Sequence, residues 1–143
     1  MSELSYQLHH NEKYENSRKK IYKNRYGIHT PYQCIDGTIY SCRSKLEYSI
    51  CSILESLNIM FEYENIEIDY FREDGSKHKY LPDFYLPNYN LIIEGKMSNE
   101  QELDMVVRKR EATINAGYKF LFIDEIDIKD PNIILQKIAL CVE

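Results

Sequence analysis

The sequence predicts an α/β domain in which a mixed sheet is flanked by helices, in the order α-β-β-β-α-β. Three observations lead to this prediction: helix-spaced apolar residues after Ser44, extended segments separated by turn signals between residues 59 and 96, and a second helix followed by a buried strand that ends at Ile123. A helical crossover places a strand parallel to an earlier one, so the sheet is expected to be mixed. The 143 residues suffice for a domain with its own core.

A small N-terminal extension, residues 1–40, precedes the predicted domain at 41–143 and differs from it in charge. Residues 1–45 carry eight Lys or Arg against four Asp or Glu, whereas the remaining 98 carry ten against nineteen. A short basic helix is predicted over 12–25 and a turn over 26–31. Since Lys and Arg contact phosphates without reading sequence, the extension is a candidate DNA-contacting element, although a solvated helix face explains its charge equally well. The basic residues expected to contact DNA here are Lys19, Lys20, Lys23, Arg25 and Arg43.

The elements of the first half follow from local signals. Asp36-Gly37 lies between two apolar stretches and predicts a small hairpin over 32–40. The helix is predicted from Ser44 to Asn58, where the apolar spacing ends. An extended segment over 59–64 follows it.

The second half is predicted as strands, a helix, a strand and a final helix. The turn residues at 73–76 favour a hairpin between 66–72 and 77–86, and a turn at 87–90 returns the chain into a strand at 91–96. Ser98 with Gln101 three positions later is typical of a helix start, so a helix is predicted from Ser98 to about Asn115. The predicted elements that follow are a buried strand over 118–123 and an amphipathic helix after Pro131.

Three charged residues stand where strands usually carry packing residues. Glu94 and Lys96 are two positions apart and project from the same face of a strand, and the turn at 87–90 folds Asp83 back beside them. Two carboxylates and an ammonium suit a hard divalent cation and a phosphodiester. Because the strand is apolar on both faces before Glu94, an idle ion pair there would be costly, and we interpret the trio as functional.

Two further features have a structural and a functional interpretation. Ser44 and Glu47 form a capping-box pattern, in which Glu47 only satisfies a backbone N–H at the helix start. The basic cluster Arg108, Lys109 and Arg110 is compatible with phosphate contacts and equally with the ordinary enrichment of cations near helix C-termini.

The motif Pro82-Asp83 followed by Glu94-Gly95-Lys96 resembles the PD-(D/E)xK nuclease superfamily. The segment from Cys42 to Glu64 resembles the phage junction-resolving endonuclease I group and Vsr-like mismatch-repair nucleases. Residues 20–33 are similar to segments that accompany phage endonucleases, including homing-type ones. This resemblance implies a restriction-endonuclease-like core. It also implies that Glu47 is placed at the metal site, where it would hold a second ion or orient water.

The resemblance implies a Mg²⁺-dependent DNA endonuclease, with Mn²⁺ able to substitute. Asp83, Glu94 and the Gly95 carbonyl would bind the metal, and Lys96 would assist the water or the scissile phosphate. A phage or mobile-element enzyme of the homing or repair type is expected. The alternatives are a Holliday-junction resolvase of the endonuclease I type, which is usually more basic than this chain, and a non-catalytic nucleic-acid-binding or assembly module.

Partners and location follow from the same expectations. One site cuts one strand, so double-strand cleavage would need a homodimer or a larger complex. The chain contains no apolar run of the roughly 20 residues that a membrane span needs, and a cytoplasmic protein that contacts no membrane is therefore expected.

Overall fold

The computed structural model describes residues 23–24, 27–28 and 30–143. Two compact units are distinguished, a first that ends at Glu55 and a second from Ser56 to Glu143. The predicted boundary between residues 40 and 41 stays a prediction about domain organisation. Within the described residues, no helix combines the length and apolar character that crossing a membrane requires.

The first unit consists of two short hairpins and a helix, numbered in chain order. Its elements are β1 (Lys23–Asn24), β2 (Gly27–Ile28), β3 (Thr30–Gln33), β4 (Ile39–Cys42) and most of α1 (Lys45–Ser56). Strands β3 and β4 pair antiparallel around Gly37, whose φ of 96° suits a residue without a side chain. The predicted Asp36-Gly37 hairpin and the predicted helix after Ser44 are both confirmed.

The structure corrects the prediction before β3. Lys23–Asn24 forms a strand that pairs antiparallel with Gly27–Ile28, where a helix end and a turn were predicted. Cross-strand hydrogen bonds satisfy these backbone groups, and a local charge pattern cannot reveal such a partner. The remainder of the predicted basic helix, residues 12–22 and 25, lies outside the described residues.

The second unit contains a four-stranded sheet, a separate hairpin and two α-helices. Its strands are β5 (Glu62–Tyr63), β6 (Ile68–Phe71), β7 (Lys77–Tyr80), β8 (Phe84–Leu86), β9 (Leu91–Gly95) and β10 (Lys119–Ile123). Its helices are α2 (Asp104–Asn115), α3 (Pro131–Val142) and the short 3₁₀ helices Ser98–Glu100 and Asp127–Lys129.

The four-stranded sheet is mixed, as predicted. Its order is β10-β9-β8-β5, with β9 parallel to β10 and antiparallel to β8. Strand β9 is therefore internal, and its residues Leu91, Ile92 and Ile93 are fully buried. On one face Ile92 packs with Ile68 and Tyr70 of the β6–β7 hairpin, and residues of α2 complete this cluster. The strand that carries Glu94 thus lies in the centre of a core.

The predicted strand over 77–86 is wrong as a single element. Strand β7 pairs with β6 and ends at Tyr80, whereas β8 pairs with β9 and β5 in the other sheet. The interruption covers Leu81, Pro82 and Asp83, because proline has no N–H to donate to a sheet. Asp83 therefore lies at a break between two sheets, where its side chain and backbone are available for other contacts.

The predicted helix start at Ser98 is also wrong. The Ser98 hydroxyl and N–H both donate to the Glu125 carboxylate, each over 2.8 Å, so neither group caps a helix. A 3₁₀ helix occupies Ser98–Glu100 and α2 begins only at Asp104. The end of α2 near Asn115 is confirmed, and Gly117 follows with a φ of 100°.

Candidate active site

Asp83 and Glu94 are fixed to each other through their backbones. The Asp83 N–H donates to Glu94 Oε1 over 3.1 Å, and the N–H of Gly95 donates to Asp83 Oδ2 over 2.9 Å. The Asp83 carbonyl oxygen accepts from the N–H of Glu64 over 3.0 Å. These bonds form because Phe84 pairs with Ile93, which places Asp83, the residue before β8, next to Glu94 and Gly95, the last two residues of β9. The structure thus brings together the two predicted carboxylates.

Both carboxylates are buried, with 4% of Asp83 and 8% of Glu94 exposed. Burial raises the pKa of Glu94 above its ordinary value, because loss of solvation disfavours the charged form. The nearby Tyr80 hydroxyl and the hydrogen bond from the Asp83 N–H lower this pKa in part. The ammonium charges of Lys96 and Lys109 act in the same direction. A cation beside Glu94 would therefore stabilise the charged form of its carboxyl group.

Lys96 directly follows β9 and shares a small cavity with Glu94. Its N–H donates to the Ile123 carbonyl oxygen over 3.0 Å, which extends the β9–β10 pairing by one residue. Gln101 Nε2 donates to the Lys96 carbonyl oxygen over 3.3 Å. The cavity is lined by Tyr80, Glu94, Lys96, Val106, Lys109, Phe120 and Phe122. The predicted placement of Glu94 and Lys96 on one side of the strand is consistent with this cavity.

Two further polar residues of this cavity, Tyr80 and Lys109, were not predicted to lie beside the metal. Tyr80, which is 5% exposed, ends β7 and reaches Glu94 from a strand of the other sheet. Lys109 comes from α2 and was predicted to contact DNA as part of a basic cluster. Neither belongs to the local motif around Asp83 and Lys96. Their place beside Glu94 depends on which elements pack on this face of β9, and the local sequence does not indicate that packing.

Glu47 lies in the first unit, and the structure supports its capping role. Its N–H donates to Ser44 Oγ over 3.1 Å, and its Oε1 accepts from the Arg43 N–H over 3.3 Å. The Arg43 guanidinium lies 4.0 Å from Glu47 Oε2. Glu47 is only 7% exposed. The Ser44 bond of the predicted capping box is confirmed, and the Glu47 carboxylate caps the adjacent Arg43 N–H. The role of Glu47 at a metal stays a prediction.

The other predicted DNA-contacting residues have different placements. Arg108 binds Asp104 over 2.8 Å and donates to the Phe71 carbonyl oxygen, so it ties α2 to β6. Arg110 is half-buried on the same helix. Lys23 lies in β1, and Lys19, Lys20 and Arg25 lie outside the described residues. Contact with DNA stays a prediction for all of these residues.

The donors at Asp83 and Glu94 fit a hard divalent cation. Each carboxylate engages a backbone N–H through one oxygen, and both are carboxylates of the kind that Mg²⁺ prefers. No group of three or more His, Cys, Asp or Glu side chains able to hold a metal occurs among the described residues. Such a small ligand set is typical of Mg²⁺, which is held by one or two carboxylates together with water and substrate oxygens. The Gly95 carbonyl is a further predicted ligand.

The second unit is an α/β domain with a mixed sheet, in which two buried carboxylates and a lysine lie at the end of an internal strand. The chain belongs to the phage endonuclease I family, whose family model, described as "Phage endonuclease I", matches residues 31–123. The predicted resemblance to the phage endonuclease I group is therefore confirmed. The matched residues include Glu47, Asp83, Glu94, Gly95 and Lys96.

Two phage proteins and one solved structure are similar to this chain. "Endonuclease I" of Escherichia phage T7 is 34% identical over 81 residues, which cover 54% of this chain and 53% of that protein. "Endodeoxyribonuclease 1" of Enterobacteria phage T3 is 34% identical over 91 residues, 62% of this chain and 57% of that protein. The chain thus matches little more than half the length of these relatives. The structure "Homing Endonuclease I-Bth0305I Catalytic Domain" is 22% identical, with 67% of this chain and 91% of that chain covered and a TM-score of 0.46.

Proposed function

We propose that this chain is a DNA endonuclease that hydrolyses phosphodiester bonds with a divalent cation, Mg²⁺ or Mn²⁺. The observation that carries this proposal is the pair of hydrogen bonds that fixes two buried carboxylates side by side, from the Asp83 N–H to Glu94 and from the Gly95 N–H to Asp83. Burying two carboxylates side by side is expensive unless a cation compensates them, and their fixed geometry suits a cation better than it suits packing. Membership of the phage endonuclease I family supports the same activity.

The residues of the chain have separate roles in this proposal. Asp83 and Glu94 hold the cation, and the Gly95 carbonyl is a third donor. When bound, the cation supplies Lewis-acid chemistry, which activates water and neutralises charge on the phosphate. Lys96 stabilises negative charge that develops on the scissile phosphate. Glu47 is assigned to the second ion or to water on the strength of the family resemblance alone.

The substrate and assembly are part of the proposal. Basic residues of the N-terminal extension and α2 would contact the DNA backbone, and two copies would cut the two strands of a duplex. The protein would act in the cytoplasm of a phage host. Since the chain belongs to the phage endonuclease I family, a four-way junction is the first substrate to compare with linear and supercoiled DNA.

A cleavage assay with Asp83→Asn tests the proposal. We expect wild type to cleave in Mg²⁺ or Mn²⁺, and the variant to lose roughly 10² to 10³ in rate, the range seen when a stabilising group is removed from the reacting centre. The control is Asp69→Asn, because Asp69 is a surface carboxylate that pairs with Lys77 and Lys79. Asp69→Asn should cleave as wild type does.

Two results would count against the proposal. If wild type leaves junction, nicked, linear and supercoiled DNA intact in both metals, the chain is not an endonuclease and the non-catalytic module becomes the better interpretation. If Asp83→Asn cleaves at the wild-type rate, the activity does not arise from this site. Preference for the junction over a linear duplex would favour the endonuclease I type of resolvase over a homing type.

A further inference from the structure

Lys109 lies inside the second unit, although its sequence neighbourhood is typical of a solvated basic helix end. Its side chain is half-buried and lines the cavity that contains Glu94 and Lys96. The neighbouring Arg108 has a different environment, since it binds Asp104 on the surface of α2. Lys109 is therefore the member of the predicted basic cluster that faces the candidate active site.

Two tyrosine rings hold the Lys109 ammonium group in place. Its Nζ atom lies 5.5 Å from the ring centre of Tyr70 and 5.3 Å from that of Tyr80. Both distances are within the range of a cation–π interaction, which favours a charged ammonium over a neutral amine. The two rings are edge-on to each other, with their centres 6.4 Å apart. The charge of Lys109 is therefore fixed by two buried side chains.

This charge acts on the same carboxylate as the charge of Lys96. Both ammonium groups interact electrostatically with Glu94. Tyr80 lines the same cavity, and its ring contacts the Lys109 ammonium group. Lys96 and Lys109 thus place two positive charges beside the carboxylates of Asp83 and Glu94. Once a divalent cation compensates those carboxylates, the two ammonium groups are available to an anion that enters the site.

We propose that Lys109 is a second cationic residue of the cleavage centre, whose fixed ammonium group works with Lys96 to stabilise the scissile phosphate. This inference rests on the proposed endonuclease function. It assigns Lys109 to the chemical step, whereas the basic cluster of Arg108, Lys109 and Arg110 was predicted to contact the DNA backbone. Preorganised charge of this kind lowers the barrier because it needs no rearrangement while negative charge develops.

The test compares Lys109→Met with Lys109→Arg. Both are measured under single-turnover conditions with saturating DNA in Mn²⁺, and DNA affinity is measured separately in Ca²⁺ at several salt concentrations. We expect Lys109→Met to cleave about 100-fold more slowly, at the lower end of the range for loss of one electrostatic contact to the reacting group. Its DNA affinity should stay within about threefold, with an unchanged salt slope. Lys109→Arg keeps the charge and should recover most of the rate.

Two outcomes would overturn the inference. A backbone-contact role predicts that Lys109→Met weakens DNA binding, lowers the salt slope by about one and leaves the saturated rate unchanged. A structural role predicts that Lys109→Met and Lys109→Arg both lose rate in proportion to a lower melting temperature. Should Lys109→Met fail to fold, Lys109→Gln replaces it, because an amide tolerates water in the cavity.

A matched control and the wild type separate this inference from the proposed function. Lys119 is exposed on β10, where its Nζ contacts the Val142 carbonyl oxygen over 3.4 Å, and Lys119→Gln removes the same charge. It should cleave and bind DNA as wild type does. If wild type cleaves and Lys109→Met equals it, only the inference about Lys109 fails. If wild type itself does not cleave, the proposed function fails.

Discussion

Glu94 combines two properties that are rarely found together in a strand residue: it is almost fully buried, and it is ionisable. Its carboxylate accepts the Asp83 N–H while hydrophobic side chains of the cavity surround it. Desolvation raises the pKa of Glu94, because burial disfavours the charged form of the acid. A cation bound beside the carboxylate would favour the charged form. In the absence of metal, the charged carboxylate is therefore expected to cost stability.

Glu94→Gln should raise the melting temperature of the metal-free protein at pH 8 while abolishing cleavage. Since the folded pKa of Glu94 is raised, the stability that its protonated form contributes is present below the unfolded pKa and is lost as the pH rises through the folded pKa. Glutamine stays neutral at every pH. The excess in melting temperature of Glu94→Gln over wild type should therefore be absent near pH 4 and grow as the pH rises. Thermal unfolding in the presence of a chelator, between pH 4 and 8, measures this difference.

Glu102→Gln is the control for this experiment, because Glu102 is exposed near the start of α2. Its melting temperature should follow that of the wild type at each pH. A Glu94→Gln protein that melts below the wild type at pH 8 would show that the charged carboxylate stabilises the fold, contrary to the argument from burial.

Gln33 is a second buried polar residue, in this case without an evident use. It is 6% exposed at the end of β3, and within the described structure neither atom of its amide has a hydrogen-bond partner. An unpaired buried polar group costs about 1–3 kcal/mol. Gln33→Met should therefore stabilise the protein by about 1 kcal/mol, measured by denaturant unfolding. Gln136→Met, at an exposed position of α3, should not.

At the scale of elements, the segment between β9 and α2, which begins with Lys96, is held by a contact with the residues after β10. The Ser98 N–H and hydroxyl clasp the carboxylate of Glu125, which follows β10. The parallel pairing of β9 with β10 places the ends of both strands side by side, so this clasp continues the alignment beyond the sheet. The segment that follows Lys96 is thereby held against the neighbouring strand rather than wound into a helix.

The clasp should open in acid. Hydrogen bonds from the Ser98 backbone and side chain lower the pKa of Glu125, so its contribution is present above the unfolded pKa and is lost as the pH falls through the folded pKa. The protection factor of the Ser98 amide in hydrogen exchange should decrease over that interval. In Glu125→Ala it should be low at every pH. Equal protection in both proteins would mean that the clasp does not hold this segment.

At the scale of the whole molecule, the chain is acidic, with a net charge of −5, although a DNA substrate is proposed. The acidic residues outnumber the basic ones only after residue 45, and the carboxylates at Asp83 and Glu94 would be compensated by metal. DNA affinity is therefore expected to depend on the basic extension and on the metal together. Assembly of two chains would double both contributions.

Subunit mixing tests the proposed homodimer. If two subunits each cut one strand, an excess of Asp83→Asn over wild type should convert the product of a supercoiled plasmid from linear DNA to nicked circles, because mixed dimers carry one working site. Agarose gel electrophoresis after brief cleavage measures the ratio. Linear product that falls only in proportion to the wild-type concentration would indicate that one chain cuts both strands in succession.

Much of the fold and part of the site follow from local patterns. The turn at 87–90 and the apolar runs on either side predicted that Asp83 and Glu94 meet, and the structure confirms the antiparallel pairing of β8 with β9. The helix after Ser44 was predicted because its spacing and cap are local. The predicted DNA contacts of the N-terminal residues involve positions outside the described structure, so they stay predictions.

The sequence by itself determined the helix after Ser44, the mixed sheet and the meeting of Asp83 with Glu94, because burial periodicity and turn residues act between near neighbours. Only the tertiary structure decided that Ser98 binds Glu125 and that Lys109 joins the cavity. These contacts join residues far apart in the chain, and each competes with a local alternative: a helix cap for Ser98 and a solvated helix face for Lys109. Local patterns give the alternatives, and packing selects between them.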